Sequence, residues 1–190
     1  MGRIVVTEFV SIDGVMEDPG GAEDFKHGGW TFEIPRGDEG DRFKVEETME
    51  AQSQLLGRRT FDGFAAAWPQ REGEFADRFN EMPKYVVSST LGEPDWNNST
   101  VLRGDPVEAV AKLREEQDGV ILVAGSAQLV QTLIENDLVD ELRLMVFPVI
   151  LGDGKRLFGA TTDKKRFRLT DSKVVGDGVA IMTYEPASSE

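Results

Sequence analysis

The chain has 190 residues, 39 % hydrophobic and 29 % charged, with 35 acidic against 21 basic side chains and a net charge of −14. That balance argues against a disordered or membrane-spanning chain, and so negative a surface repels nucleic acid and anionic lipid. With no cysteine and the single histidine His27, disulfides, thiolate metal sites and multi-histidine zinc sites are excluded, and a Ser-His-Asp triad has almost nothing to work with.

Ile4 to Val10 is an apolar, β-branched run and reads as a first strand. It starts too soon, and turns polar too quickly, for a secretory signal, so a cytoplasmic protein is expected. Ser11 to Gly40 is rich in Gly, Pro and Asp and reads as a long loop, a kind that often carries function; His27 lies in it as a solvated residue. Asp41 to Ala51 is helical in character, with Asp41 as a cap and Phe43, Val45 and Met49 among its apolar positions. Gln54 to Leu56 is a short buried strand ended by Gly57, and Arg59 to Trp68 a helix stopped by Pro69.

Glu74 to Met82 reads as a short helix, Tyr85 to Val87 and Thr100 to Leu102 as short strands, and Pro106 to Gln117 as a helix begun by proline. Val120 to Ala124 is fully apolar, the type of strand buried on both faces. A helix over Ala127 to Asn136 and a strand over Leu142 to Phe147 follow. Phe167 to Val175 and Val179 to Tyr184 flank Gly176-Asp177-Gly178, a hairpin signal. The whole predicts one α/β domain over residues 1–185, a mostly parallel sheet flanked by helices with a C-terminal antiparallel hairpin, and a short tail over 186–190.

Any phosphorylated ligand must overcome the acidic field through local cations and backbone N–H groups. Leu55-Leu56-Gly57-Arg58-Arg59-Thr60 offers both: a buried strand ends in glycine and a helix begins at once, aiming free N–H groups and the positive end of its dipole at one spot. An ordinary turn with two solvated arginines fits the same pattern. Val123-Ala124-Gly125-Ser126-Ala127-Gln128-Leu129 is a second strand–glycine–helix junction, readable as a ligand seat or as tight packing. Ser88-Ser89-Thr90, after a strand, caps a turn or meets phosphate.

Asp13, in the turn Ser11-Ile12-Asp13-Gly14, is either a turn residue or a carboxylate at the sheet's carboxyl edge; Asp41 is either an N-cap or a second such acid. Trp30, Trp68 and Trp96 read as core or rim rather than pocket walls. Glu46-Glu47 and Glu115-Glu116 read as solvated helix faces.

These segments resemble a known family. Leu56 to Phe61, Pro83 to Ser89 and Val123 to Ala127 are similar to the ordered cofactor segments of dihydrofolate reductases. Leu138-Val139-Asp140-Glu141-Leu142-Arg143, with Phe147-Pro148-Val149-Ile150-Leu151-Gly152-Asp153-Gly154-Lys155-Arg156-Leu157-Phe158, resembles the reductase domain of the bifunctional riboflavin-biosynthesis deaminase-reductase and its stand-alone relatives. The Ser11 to Gly14 turn belongs to the same pattern, and the likeness runs from about Ile4 to Tyr184.

The resemblance implies a dihydrofolate-reductase-like fold with NADPH across the sheet's carboxyl edge. Gly57, Arg58, Arg59 and Thr60 would hold the pyrophosphate and 2′-phosphate side. Ser88, Ser89 and Thr90 would meet the adenosine, Gly125, Ser126, Ala127, Gln128 and Leu129 would cradle the pyrophosphate, and Phe9 and Val10 would line the nicotinamide. Asp13 would face the substrate, and Asp41 falls where folate reductases carry their substrate-binding acid. Either aspartate, acting through water, is a candidate proton donor.

Gln128 stands in place of a basic residue, so a preference for NADPH over NADH rests on Arg58 and Arg59. The deaminase half is absent from this sequence, so the two-step riboflavin enzyme is not expected. The implied reaction is hydride transfer to a small heterocyclic or ribosyl substrate, of the 5-amino-6-(5-phosphoribosylamino)uracil reductase type. A dihydrofolate reductase and a non-catalytic nucleotide-binding protein are the alternatives. A homodimer through a sheet edge, near Phe167 to Tyr184, is expected by the same likeness.

Overall fold

The computed structural model describes residues 1–187. Eight strands form one sheet. They are β1 (Arg3–Ser11), β2 (Ala51–Gly57), β3 (Lys84–Val87), β4 (Ser99–Leu102), β5 (Val120–Val123), β6 (Glu141–Phe147), β7 (Phe167–Val175) and β8 (Val179–Pro186). Five α-helices join them: α1 (Gly37–Glu50), α2 (Arg58–Ala67), α3 (Glu74–Glu81), α4 (Pro106–Glu116) and α5 (Ala127–Glu135). The strand order is β4-β3-β2-β5-β1-β6-β8-β7. All pairs from β4 to β6 are parallel; β8 runs antiparallel to both β6 and β7. The expected parallel sheet with a C-terminal antiparallel hairpin is therefore the observed one.

Alternation along the strands sorts side chains onto two layers. Ile4, Val6 and Val10 of β1 pack with Ile121 and Val123 of β5, and with Val110, Leu113, Val130 and Leu133 of α4 and α5. On the opposite face Leu56 and Val86 meet Phe61 and Phe79 of α2 and α3. β5 is buried at all four positions, as its unbroken apolar run requires.

Several elements differ from the sequence reading. The helix expected from Asp41 begins at Gly37, so Asp41 lies inside α1 and caps nothing. Arg36 takes the cap position without a side-chain cap bond. The long loop therefore ends earlier, and it contains a 3₁₀ turn over Trp30–Glu33. Val45 is exposed, and α1 instead buries Gly40, Glu47 and Thr48 against the sheet. Glu47 is thus no solvated helix residue, unlike the exposed Glu115 and Glu116. Trp30 and Trp96 are core residues, and Trp68 stacks on Phe79 at 4.2 Å. Pro186 closes β8 opposite Phe167 rather than opening a tail; of the expected tail, 188–190 lie outside the described residues.

Candidate functional site

The sheet order brings separate sequence segments side by side. β3, β2, β5 and β1 are consecutive neighbours, so Ser88, Gly57, Gly125 and Phe9 stand at or near the carboxyl ends of four adjacent strands. The two strand–glycine–helix junctions touch. The Gly57 N–H donates to the Gly125 carbonyl at 3.0 Å. The Thr60 N–H reaches Ser126 Oγ at 3.3 Å, and the two hydroxyls lie 3.2 Å apart. Gly125 has φ +105, a backbone that favours glycine, and a Cβ there would meet Thr60 Oγ1 at 2.5 Å.

Neither α2 nor α5 carries a side-chain cap or an acidic residue in its first turn. Both helix starts therefore direct first-turn N–H groups and positive dipole ends at one stretch of the sheet edge. Arg58 and Arg59 open α2. Arg58 Nε donates to both carboxylate oxygens of Asp62, at 2.9 and 2.8 Å. Arg59 Nε lies 3.8 Å from Glu23 of the long loop. Gln128 is exposed, whereas Leu129 is buried in the core and offers a ligand only its backbone.

At the end of β3, Ser88 Oγ accepts the N–H groups of Thr90 and Leu91 at 3.2 and 3.0 Å, so this hydroxyl shapes its own turn. Ser89 and Thr90 are exposed. Phe9 and Val10 part company by strand alternation. Val10 enters the main core, while Phe9 lies between Arg36, 5.2 Å from its ring centroid, and Lys44, at 4.7 Å.

Asp13 is a clasp. It accepts the Ser11 hydroxyl at 2.6 Å and the N–H groups of Leu151 and Gly152 at 3.2 and 2.8 Å, and Arg156 donates to its backbone carbonyl. The Ser11 hydroxyl above all, with these backbone donors, holds its carboxyl down at about 2. Asp41 pairs with Arg36 Nε at 2.6 Å, its side chain 63 % exposed.

A polar cluster between β1 and α1 was not singled out from the sequence. The Thr7 hydroxyl donates to Glu47 Oε1 at 2.9 Å, Lys44 Nζ donates to Thr7 Oγ1 at 3.0 Å, and Lys44 also pairs with Glu47. Arg143 of β6 bonds Glu141 and Glu50 beside it. Glu8 is buried, and its Oε1 finds no hydrogen-bond partner among the described residues. Burial pushes its carboxyl up to about 8, against the pull of Lys44 and helped by Glu47. The signal was present: two adjacent polar residues, Thr7-Glu8, interrupt an otherwise apolar strand. Among the described residues no group of three or more His, Asp or Glu side chains is placed to hold a metal.

The mostly parallel sheet, with its C-terminal antiparallel strands and paired helix starts at the carboxyl edge, has the dihydrofolate-reductase-like fold. The RibD C-terminal domain matches residues 3–181, and the chain belongs to that reductase-type family. Protein YyaP of Bacillus subtilis (strain 168) is 29 % identical over 187 residues, covering 96 % of this chain and 94 % of that one. A putative riboflavin biosynthesis protein from Shewanella sp. PV-4 superposes with a TM-score of 0.78 at 24 % identity, over 98 % of this chain and 99 % of that chain. Dihydrofolate reductase from Enterococcus faecalis, complexed with NADP(H), shares the fold with a TM-score of 0.60 at 15 % identity, over 98 % and 97 % of the two chains.

Proposed function

We propose that the protein is an NADPH-dependent reductase that passes hydride to a small heterocyclic or ribosyl substrate. One observation carries the reading: two helix starts whose own N-cap residues make no side-chain cap bond, drawn together through Gly57 and Gly125, with two arginines on one of them. This is a seat for a pyrophosphate in an otherwise acidic protein. The bound NADP(H) of the Enterococcus faecalis enzyme supports the same choice.

Bound there, the nicotinamide supplies the hydride. Thr60, Ser126 and Ala127 would hold the pyrophosphate through backbone N–H groups and hydroxyls, and Gly57, its own N–H given to Gly125, would let the phosphates approach the backbone closely. Arg58 and Arg59 would answer the 2′-phosphate side, with Ser89 and Thr90 near the adenosine. Phe9 would wall the nicotinamide, and Arg36 and Lys44 beside it would orient the substrate.

A second reading, nucleotide binding without turnover, is favoured by the state of the two candidate acids. Asp13 is ionised and committed to its clasp, and Asp41 is exposed and paired. In the reductase reading the proton then comes from water. A folate reductase needs a buried acid at Asp41, which that exposure does not offer.

The test is a titration with NADPH and NADH followed by nicotinamide fluorescence, on wild type and on Arg58→Ala with Arg59→Ala. Tight NADPH binding that weakens in the double variant supports the cofactor site. A folded wild-type protein that binds neither nucleotide ends the reading. Substrate-dependent oxidation of NADPH separates reductase from binder. We also propose a homodimer through β7, the exposed edge strand, which sedimentation velocity tests directly.

A further inference from the structure

The long loop between β1 and α1 sends one carboxylate to the α2 start. Glu23 Oε2 lies 3.8 Å from Arg59 Nε, with the two side chains 33 % and 54 % exposed. α2 has no acidic residue of its own in the first turn, and Glu23 is the carboxylate that faces the side chain of its second residue, Arg59.

Glu23 is presented from a built turn. Asp18, buried at its base, accepts the Ala22 N–H at 2.7 Å and the Phe25 N–H at 3.4 Å, and its carbonyl accepts those of Gly21 and Gly29 at 3.2 and 2.9 Å. A Cβ on Gly28 would stand 2.2 Å from Asp18 Oδ2, so the turn closes tightly behind its carboxylate. Trp30 Nε1 donates to the Glu17 carbonyl and the Thr31 hydroxyl to that of Pro19, which ties the far end back. The loop is held on both sides of Glu23, and only the glutamate side chain needs to rotate to free Arg59. Burial raises the Glu23 carboxyl above its ordinary value, and the like charges of Asp18 and Glu17 add to that against the pull of Arg59.

We propose that Glu23 is an internal competitor for the anion seat at Arg59: its carboxylate holds the guanidinium in the ligand-free protein, and a nucleotide phosphate must displace it to bind. The idea rests on the cofactor seat proposed above and adds an affinity-setting residue to it. Arg58 differs, because its partner Asp62 lies on the same helix and moves with it. Removing the Glu23 charge frees Arg59 and also removes a repulsion on the incoming phosphate. Both effects act in one direction, toward tighter binding, by about three- to tenfold for a half-exposed pair at low salt.

The experiment measures NADPH affinity at low salt for wild type, Glu23→Gln, Arg59→Ala and the double variant, with unfolding temperatures in the absence of ligand. The expected result is tighter binding by Glu23→Gln, a clearly smaller gain in the Arg59→Ala background, where only the lost repulsion remains, and an unfolding temperature unchanged or slightly lowered. A glutamate that only shapes the loop would lose affinity and stability together, and that result overturns the proposal. So does an unchanged affinity. Inorganic pyrophosphate, followed by its thermal shift, is the second probe. If wild type binds neither nucleotide, but pyrophosphate stabilises Glu23→Gln more than wild type, the competitor stands and the cofactor reading falls. If pyrophosphate also fails to distinguish the two, the competitor is refuted.

Discussion

A Cβ placed on Gly57 would lie 2.5 Å from Ser126 Oγ and 2.8 Å from the Ser126 backbone nitrogen. The end of β2 and the start of α5 are packed to the limit of what glycine allows. Gly57→Ala must push them apart, which strains the Gly57 to Gly125 hydrogen bond and separates the two helix starts. We expect a loss of about 1–3 kcal/mol in stability. NADPH binding should fall more steeply than stability, and a calorimetric titration beside a thermal melt compares the two.

Asp13→Asn should loosen the segment around Leu151 to Arg156, because a neutral amide replaces a carboxylate that receives a hydroxyl and two backbone N–H groups. The cost is about 1–3 kcal/mol at neutral pH. The folded carboxyl lies at about 2, below its ordinary 3.8. Its contribution is therefore complete above 3.8 and is lost as the pH falls toward 2. Urea unfolding across that window should show a shallower acid loss in the variant.

Glu8 works with the opposite sign. Its folded carboxyl is raised from 4.5 to about 8, so between those values the folded chain keeps a proton that the unfolded chain releases. Stability should decline as the pH rises through that range, by at most about 1.4 kcal/mol per pH unit. Glu8→Gln should flatten this decline. Lys44 and Glu47, the charged groups acting on Glu8, remain in the variant. An equal decline in both proteins would remove Glu8 as its source.

Lys84 is fully buried, with Nζ donating to the carbonyls of Asn80 and Met82 at 2.8 and 2.7 Å and lying 4.5 Å from the Trp96 ring centroid. It closes the C-terminal end of α3. Lys84→Met fits the volume but abandons two carbonyls, which predicts a loss of about 1–3 kcal/mol. Trp96 fluorescence should shift as its cation partner disappears, and urea unfolding gives the stability.

Chain order and element type were largely legible. The apolar run of β5, Pro106 at the start of α4 and Gly176-Asp177-Gly178 in the hairpin each act within a few residues. α1 was the element misjudged. Its buried side carries Glu47 and Thr48 rather than an apolar stripe, so periodicity pointed to Phe43, Val45 and Met49 and placed its start too late. A helix that buries charge leaves no hydrophobic period to read, because the compensating groups, Thr7 and Arg143, sit on strands far along the chain.

The sequence by itself determined the two strand–glycine–helix junctions, the arginines on one of them and the acidic field that they must overcome. Only the tertiary structure decided that β2 and β5 are neighbours, that Asp13 is spent on a clasp, that Asp41 faces water beside Arg36, and that Glu23 reaches Arg59. The reason is the range of the forces. Turn geometry and helix dipoles arise among adjacent residues, whereas strand pairing and ion pairing join residues that approach only when the whole chain has closed.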